Sequence, residues 1–341
     1  MPRILIAGAG VAGSYLWRLL VLKKVVADSD IQVVDPGSKT RCGIAPCGFA
    51  VTGQFFPLCR EVGLNPEKYV LRKLEVGYLG KVKLKVVGSA LSIDKPAFIR
   101  DLLDGADVAS SPSSLAFDRI IDATGTARAY IGKYESDLLA PCLQRKVEFA
   151  TQPFWTESPH RAGYHWVIPL QGNLAHVGIG STTYEADRMR KIIEEATQKA
   201  KIICSCHGYV RLTGPILPLA RGKVWAVGES GGLVEPLSGC GIVPAMVSAK
   251  FLLENWDDPK SYEASVLREY GWFIKSHELV RKWRDANVLN FWDIGLLRKY
   301  AKFCDLELNL SNLVRVIIPN LVLMGLQLPS MVEVLRSFKR Y

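Results

Sequence analysis

No stretch of this sequence is apolar for long enough to cross a bilayer. The most apolar late segment, "LVRVIIPNLVLMGL" at 313–326, is about 14 residues long and is broken by Arg315 and Pro319, whereas a spanning helix needs about 20. A transmembrane helix is therefore not expected, while a lipid-facing peripheral helix stays open. No run of five or more basic residues occurs, so no nucleic-acid partner is expected, although the formal net charge is +10. About half of that excess sits between Gly271 and Tyr341, with 11 Lys/Arg against 6 Asp/Glu, a distribution open to an anionic membrane surface. Repeats, low-complexity tracts and Ser/Gly linkers are missing as well. The opening "MPRILIAGAG" carries no charged-then-apolar leader and enters a strand at once, so a cytoplasmic location is expected.

What is present is ordinary globular composition: 341 residues, 49% apolar and 22% charged. That length favours two or three domains with a large core. The eight cysteines stand at 42, 47, 59, 142, 204, 206, 240 and 304, and cytosolic thiols stay reduced. Cys204, Cys206 and His207 lie within four residues, but no second ligand pair follows at zinc-site spacing. No metal is expected; a strand burying small side chains at period two accounts for the cluster.

The first fifty residues set the architecture. "RILIA" (3–7) is a short apolar strand, "GAGVAG" breaks it, "SYLWRLLVLKK" has helical spacing, and "IQVVD" (31–35) is a second strand ending in an acid. Together they form a βαβ unit. Residues 71–88 alternate as a hairpin, 94–103 read as a helix with Pro96 in its first turn, and "DRIIDATG" (118–125) is another buried strand ending in glycine. Strand-like pieces then dominate from about 145 to 213, interrupted by one helix, and indicate an antiparallel sheet. "KVWAVGESGG" (223–232) returns to strand-then-glycine, and the pattern from about 242 onward is mostly helical. The expected fold is α/β: a discontinuous Rossmann-type dinucleotide domain over 1–70, 90–130 and 214–255, an antiparallel-sheet substrate domain over 71–89 and 131–213, and a helical C-terminal part over 256–341.

Gly8, Gly10 and Gly13 fit G-x-G-x-x-G between a strand and a helix, with Ala12 inside the motif. The first glycine makes the tight turn, the second admits a pyrophosphate, and the third lets helix and strand close up. Asp35 follows 22 residues after Gly13, placed to accept ribose hydroxyls. This motif alone does not separate NAD from FAD. A second strand-to-glycine junction favours the flavin: Gly228-Glu229 offers an acid to a ribityl hydroxyl. Downstream, Pro236, Gly239, Gly241 and Ile242 bring a glycine turn and a helix N-terminus where the pyrimidine end of an isoalloxazine would lie.

The chain resembles the geranylgeranyl reductase family of FAD-dependent reductases, a branch of the p-hydroxybenzoate hydroxylase fold. "GAGVAG", "PCGFAVT" (46–52), "DATGTAR" (122–128) and "GESGGLVEPLSGCGI" (228–242) carry the likeness. So does an aromatic signature, Tyr-x-Trp-x-Phe-Pro followed by Gly-x-Gly, which stands here as Tyr164, Trp166, Ile168, Pro169, Gly178 and Gly180. The departures are Ile168 for phenylalanine, Leu170 for a lysine, a displaced upstream Pro159, Glu229 for an aspartate, and Lys95 for an arginine. Much of the long C-terminal region of larger members is also missing.

The resemblance implies FAD as cofactor, held also by Gly48, Thr124 and Gly125, and an isoprenoid or prenyl-lipid substrate. That substrate carries a diphosphate, a phospholipid headgroup or a quinone, and its double bonds are saturated. Tyr164 and Trp166 would wall the cavity before the flavin face, with Pro169, Gly178 and Gly180 beside them. Saturating an isolated alkene takes a hydride from flavin N5 and a proton, and Cys47 is the candidate donor. Without the other motifs, burial in an antiparallel sheet would suffice to explain the two aromatics.

Three rival chemistries share parts of this pattern. Cys42 and Cys47 form C-x-x-x-x-C, as in dithiol–disulfide flavoproteins, and Cys240 is another candidate partner for Cys47. Those enzymes need a second nucleotide-binding glycine motif, which is missing, so the external electron donor is left unnamed. A flavin halogenase has Trp-x-Trp-x-Ile-Pro, close to "YHWVIP", but calls for a lysine in a Gly-rich segment upstream for which no convincing equivalent stands here. A flavin monooxygenase shares the fold without calling for the Tyr-x-Trp strand.

Overall fold

The first strand, Ile4–Ala7, is entirely buried and sits inside a six-stranded sheet. It pairs in parallel with Ile31–Val34 on one side and Arg119–Asp122 on the other. Val224–Ala226 extends the sheet beyond Arg119–Asp122, and Val108–Ala109 extends it beyond Ile31–Val34, both in parallel. Only the short edge strand Ala220–Arg221 is antiparallel. The computed structural model describes residues 3–37, 47–79, 82–151, 156–160, 163–286, 293–309 and 311–312. Cys42 and the apolar stretch 313–326 fall outside them.

The chain leaves Ile4–Ala7 between its two parallel neighbours, so strand order reverses there and opens a crevice at the strands' carboxyl ends, where ligands of doubly wound sheets bind. The helix Val11–Lys23 follows the glycine turn at once. Its buried face, with Tyr15, Leu16, Leu19 and Leu20, joins the main core, to which Val243, Met246 and Leu252 of the helix Ile242–Glu254 also belong.

A separate five-stranded antiparallel sheet runs in the order Thr156–His160, Gly163–Pro169, Leu174–Ser181, Leu139–Phe149, Ala200–Arg211. The helix Ala186–Thr197 connects two of its strands. A hairpin joins Val76–Leu79 to Val82–Lys85, while Val70–Lys73 and Ala50–Val51 flank Leu91–Ile93. The helix Lys95–Leu102 begins at Asp94, whose Oδ1 accepts from the Ala97 amide at 3.0 Å, with Pro96 in its first turn. After Ile242–Glu254 come the helices Pro259–Tyr270, Trp272–Ala286 and Ile294–Phe303. No helix among the described residues is long and apolar enough to cross a membrane.

Candidate active site

Two groups of residues define the site. The first is a cleft of about 840 Å³ at the crevice of the parallel sheet, walled by Gly8, Gly10, Asp35, Thr124 and Gly125. Gly8 has φ +107°, and a side chain there would overlap the Ala123 carbonyl. A side chain at Gly13 would overlap the Gly8 carbonyl, so the helix can sit directly on the turn, whereas Gly10 faces open space. Asp35 braces this edge: its Oδ2 accepts from the Ala9 amide and its Oδ1 from the Gly37 amide, both at 2.8 Å. Lys95 and Arg100 stand on the same wall and give the cleft the positive charge a pyrophosphate requires. The donor set, the open second glycine and the cradle at the helix N-terminus fit a dinucleotide.

The loop after Arg119–Asp122 is fastened by Asp122, a fully buried carboxylate that composition gave no reason to single out. Its Oδ1 accepts from the Thr124 hydroxyl at 2.6 Å, and its Oδ2 accepts from the Tyr130 and Ile131 amides, both at 2.9 Å. This sets the backbone of Thr124 and Gly125 at the cleft wall.

The second group lies on one face of the antiparallel sheet. Side chains two apart along a strand share a face, and the register aligns Trp166 with Gly178, Tyr164 with Gly180 and Ile168 with His176. It further aligns Gln144 with both Gly178 and Cys206, and Cys142 with Gly180. One face therefore gathers Tyr164, Trp166, Ile168, His176, Cys142, Gln144 and Cys206.

The Gly-x-Gly pair makes room for the rings. A Cβ at Gly178 would overlap the Trp166 indole, and one at Gly180 would come within 2.9 Å of Cys142 Sγ and 3.1 Å of the Tyr164 ring. The two rings stack with centroids 5.3 Å apart at 27°, and Trp166 Nε1 donates to Gln144 Oε1 at 3.1 Å. Their outer sides meet the two glycine segments that the sequence nominated. Gly48 lies against Ile168 and the Trp166 indole, and Gly239 lies against the Tyr164 hydroxyl. Pro169 ends the strand, and its carbonyl accepts from the Ser92 hydroxyl at 2.5 Å, tying this sheet to the small one.

Cys47 is a half-buried free thiol close to Cys206, whose own thiol is pushed up, chiefly by burial. Next to it stands His176, which the sequence reading passed over. His176 is buried and is held down at about 4, first by burial and then by the Lys146 charge, against hydrogen bonds to the Gly48 and Cys47 backbone. Its ring meets Phe49 edge-on at 4.6 Å, and its Nδ1 has no hydrogen-bond partner among the described residues. The signal was there: in "HVGIG" the histidine is two residues before Gly178 and four before Gly180.

The turn before Ile242–Glu254 is fixed by Glu235, a fully buried acid whose Oε2 accepts from the Ser238 amide and hydroxyl, both at 2.8 Å. Burial pushes its carboxyl upward. The Glu235 carbonyl accepts from the Gly239 amide at 2.8 Å, and Pro236 lies buried inside the same turn. Gly239 has φ +71° and Gly228 φ +64°. Gly228 packs closely on Ala12, and Gly241 on Val234, just before Ile242 opens the helix.

Glu229 is turned inward: its Oε1 accepts from the Arg211 amide at 2.8 Å, and its Oε2 lies beside Gly125. Arg211 is itself buried and makes a short ion pair with Asp137 at 2.8 Å. Cys204 and Cys206 share the inner side of their strand, while His207 is exposed on the other. Cys204 is in a disulfide, so the expectation that every thiol stays reduced fails for it. Cys47 and Cys240 are both free, with no bond between them.

Comparison with known proteins agrees with this fold. The tryptophan halogenase family profile matches residues 107–277. Among curated proteins, a digeranylgeranylglycerophospholipid reductase of Thermoplasma acidophilum is 25% identical over 156 residues, covering 41% of this chain and 39% of that protein. Digeranylgeranylglycerophospholipid reductase 2 of Methanococcoides burtonii is 35% identical over 95 residues, covering 26% and 23%. The chain thus spans between about a quarter and two-fifths of the length of the curated relatives it matches. Among solved structures, a geranylgeranyl bacteriochlorophyll reductase-like protein from Thermoplasma acidophilum superposes with a TM-score of 0.70 at 16% identity over 94% of this chain and 96% of that one. The flavin-dependent halogenase CmlS superposes with a TM-score of 0.63 at 15% identity, over 88% and 70%. With the profile match taking in half of its residues, the chain belongs to the tryptophan halogenase family, on the fold that the reductase-like and halogenase structures share.

Proposed function

We propose that this protein binds FAD and saturates carbon–carbon double bonds of an isoprenoid chain. The observation that carries the reading is the convergence of Gly48 and Gly239 on the stacked Tyr164–Trp166 pair. Two stacked rings held against two glycine segments, and buried in this structure, suit the wall of a site where a hydrocarbon lies against a planar ring. The names of the curated relatives support a prenyl-lipid substrate.

Gly8, Gly10, Asp35, Thr124 and Gly125 would hold the dinucleotide end in the cleft, and Gly48, Gly239, Gly241 and Ile242 the ring end. FAD, when bound and reduced, supplies the two-electron equivalent. The protein supplies orientation, exclusion of water and a proton. Trp166 is locked by Gln144 and by its stack on Tyr164, so the face is rigid before substrate arrives. Cys47 Sγ–H is the proton source beside Gly48. The basic C-terminal helices suit a membrane-surface encounter with the lipid.

The test is direct. The purified protein should be yellow, release FAD on extraction, and add two mass units per double bond to geranylgeranyl diphosphate under chemical reduction. A colourless protein that takes up no flavin defeats the proposal. A flavoprotein that halogenates or hydroxylates an aromatic substrate and leaves alkenes intact replaces it with the chemistry of the family's halogenase or monooxygenase members.

A further inference from the structure

A second cleft, of about 510 Å³, opens where the helices Pro259–Tyr270, Trp272–Ala286 and Ile294–Phe303 meet the loop at Thr52. Four cations line it, Arg268, Lys275, Lys299 and Lys302, against two acids, Glu269 and Asp305. Asp305 is already engaged, its Oδ2 accepting from the Gly53 amide at 3.1 Å. Lys275, Lys299 and Lys302 have no carboxylate partner among the described residues. Lys299 and Lys302 are three apart and share a helix face. Crowding like charges around a concave surface is unfavourable unless an anion joins them. Tyr270 is also among the residues at this cleft, and its hydroxyl, buried in the main core, has no hydrogen-bond partner among the described residues.

The cleft does not stand alone. Thr52 and Phe303 belong equally to the wall of a small apolar cavity bounded by Val51, Leu74, Ile242 and Cys240. A basic pocket thus adjoins an oily one that reaches the glycine turn of the site. Resting on the reductase reading above, we propose that this cleft binds the phosphate or diphosphate head of the amphiphile, whose hydrocarbon leaves past Thr52 and Phe303; the adjoining cavity, about 30 Å³ in this structure, is too small for a prenyl chain as it stands and widens to admit it. Lys275, Lys299 and Lys302 set the head at a fixed distance from Cys240 and Ile242, and so fix which double bonds can reach the aromatic face.

Binding measured by calorimetry on the protein as purified tests this independently of turnover. Geranylgeranyl diphosphate is expected to bind at least about tenfold tighter than geranylgeraniol, as charge-assisted contacts to several cations require. The combined variant Lys275→Gln, Lys299→Gln, Lys302→Gln should erase that preference while leaving the alcohol's affinity unchanged. The matching arginine variant should restore it. Equal affinity for diphosphate and alcohol in the wild type, or a preference that survives the glutamine variant, overturns the proposal. Sodium pyrophosphate binding as tightly as the amphiphile would make this a site for free phosphates and overturn it as well. Sedimentation with phosphatidylglycerol vesicles that is lost in the glutamine variant, with the soluble preference intact, would replace it with a membrane contact. A protein that shows the preference yet reduces no double bond supports the cleft and refutes the reductase reading.

Discussion

The Trp166 indole occupies the space that a side chain at Gly178 would need, directly across an antiparallel pair. The glycine is the reason the ring can lie flat on the neighbouring strand and stack on Tyr164. Gly178→Val should therefore dislodge the indole and cost about 1–3 kcal/mol of stability, the usual cost of overpacking. Loss of the near-ultraviolet signal of the stacked pair, together with a lower denaturation midpoint, is the expected result. An unchanged spectrum would show that the stack does not depend on the glycine.

His176 makes stability depend on pH. Its value falls from the ordinary 6.5 to about 4 on folding, so the unfolded chain binds the extra proton between those two values. Stability is complete above about 6.5 and declines as pH falls toward 4, by roughly 3 kcal/mol at most. His176→Asn should flatten the denaturation midpoint across that window. A wild-type midpoint with no slope between pH 6.5 and 4 would show that the imidazole is not buried in solution.

The βαβ start, its glycine turn and the Tyr-x-Trp strand were readable because each is local: strand, turn and helix periods lie within about thirty residues. The gathering of His176, Gln144 and Cys206 beside Trp166 was not readable in that way. It arises from the register of four strands, and shifting any one of them by a residue sends its side chains to the other face. Glu229 shows the same limit from the other side. Its place after a strand and before a glycine turn suggested a cofactor-facing acid; the direction of its Oε1 is set by the Arg211 amide, 18 residues upstream on the antiparallel sheet. The period-two spacing of Cys204 and Cys206 puts both on one side because that needs only one strand, but burial accounts for Cys206 alone, since Cys204 is half-buried and disulfide-bonded.

Glu235 separates size from charge. Burial pushes its carboxyl up, so the folded protein holds the proton more tightly than the unfolded chain, and stability from this group declines as pH rises above the ordinary carboxylate range. Glu235→Gln should keep the Ser238 contacts and remove that decline. Glu235→Ala should leave the Ser238 amide without its acceptor and destabilise by about 1–3 kcal/mol. Equal damage from both variants, measured by denaturant titration at neutral pH, would mean the carboxyl is ionised in place.

Cys47 is the residue on which the proposed chemistry turns. Its thiol is free, half-buried and next to the Gly48 backbone that faces Trp166. Serine keeps the size of the side chain but gives up a proton far less readily, and alanine removes the donor. If the thiol delivers the proton to the alkene, Cys47→Ser should retain bound FAD and substrate affinity while turnover falls by about a hundredfold or more, the usual contribution of a positioned acid. Single-turnover reduction of geranylgeranyl diphosphate in deuterated buffer sharpens the comparison, since the wild type should slow when the transferred proton is exchanged. Full activity in Cys47→Ala, with no solvent isotope effect in either protein, would remove the thiol from the reaction.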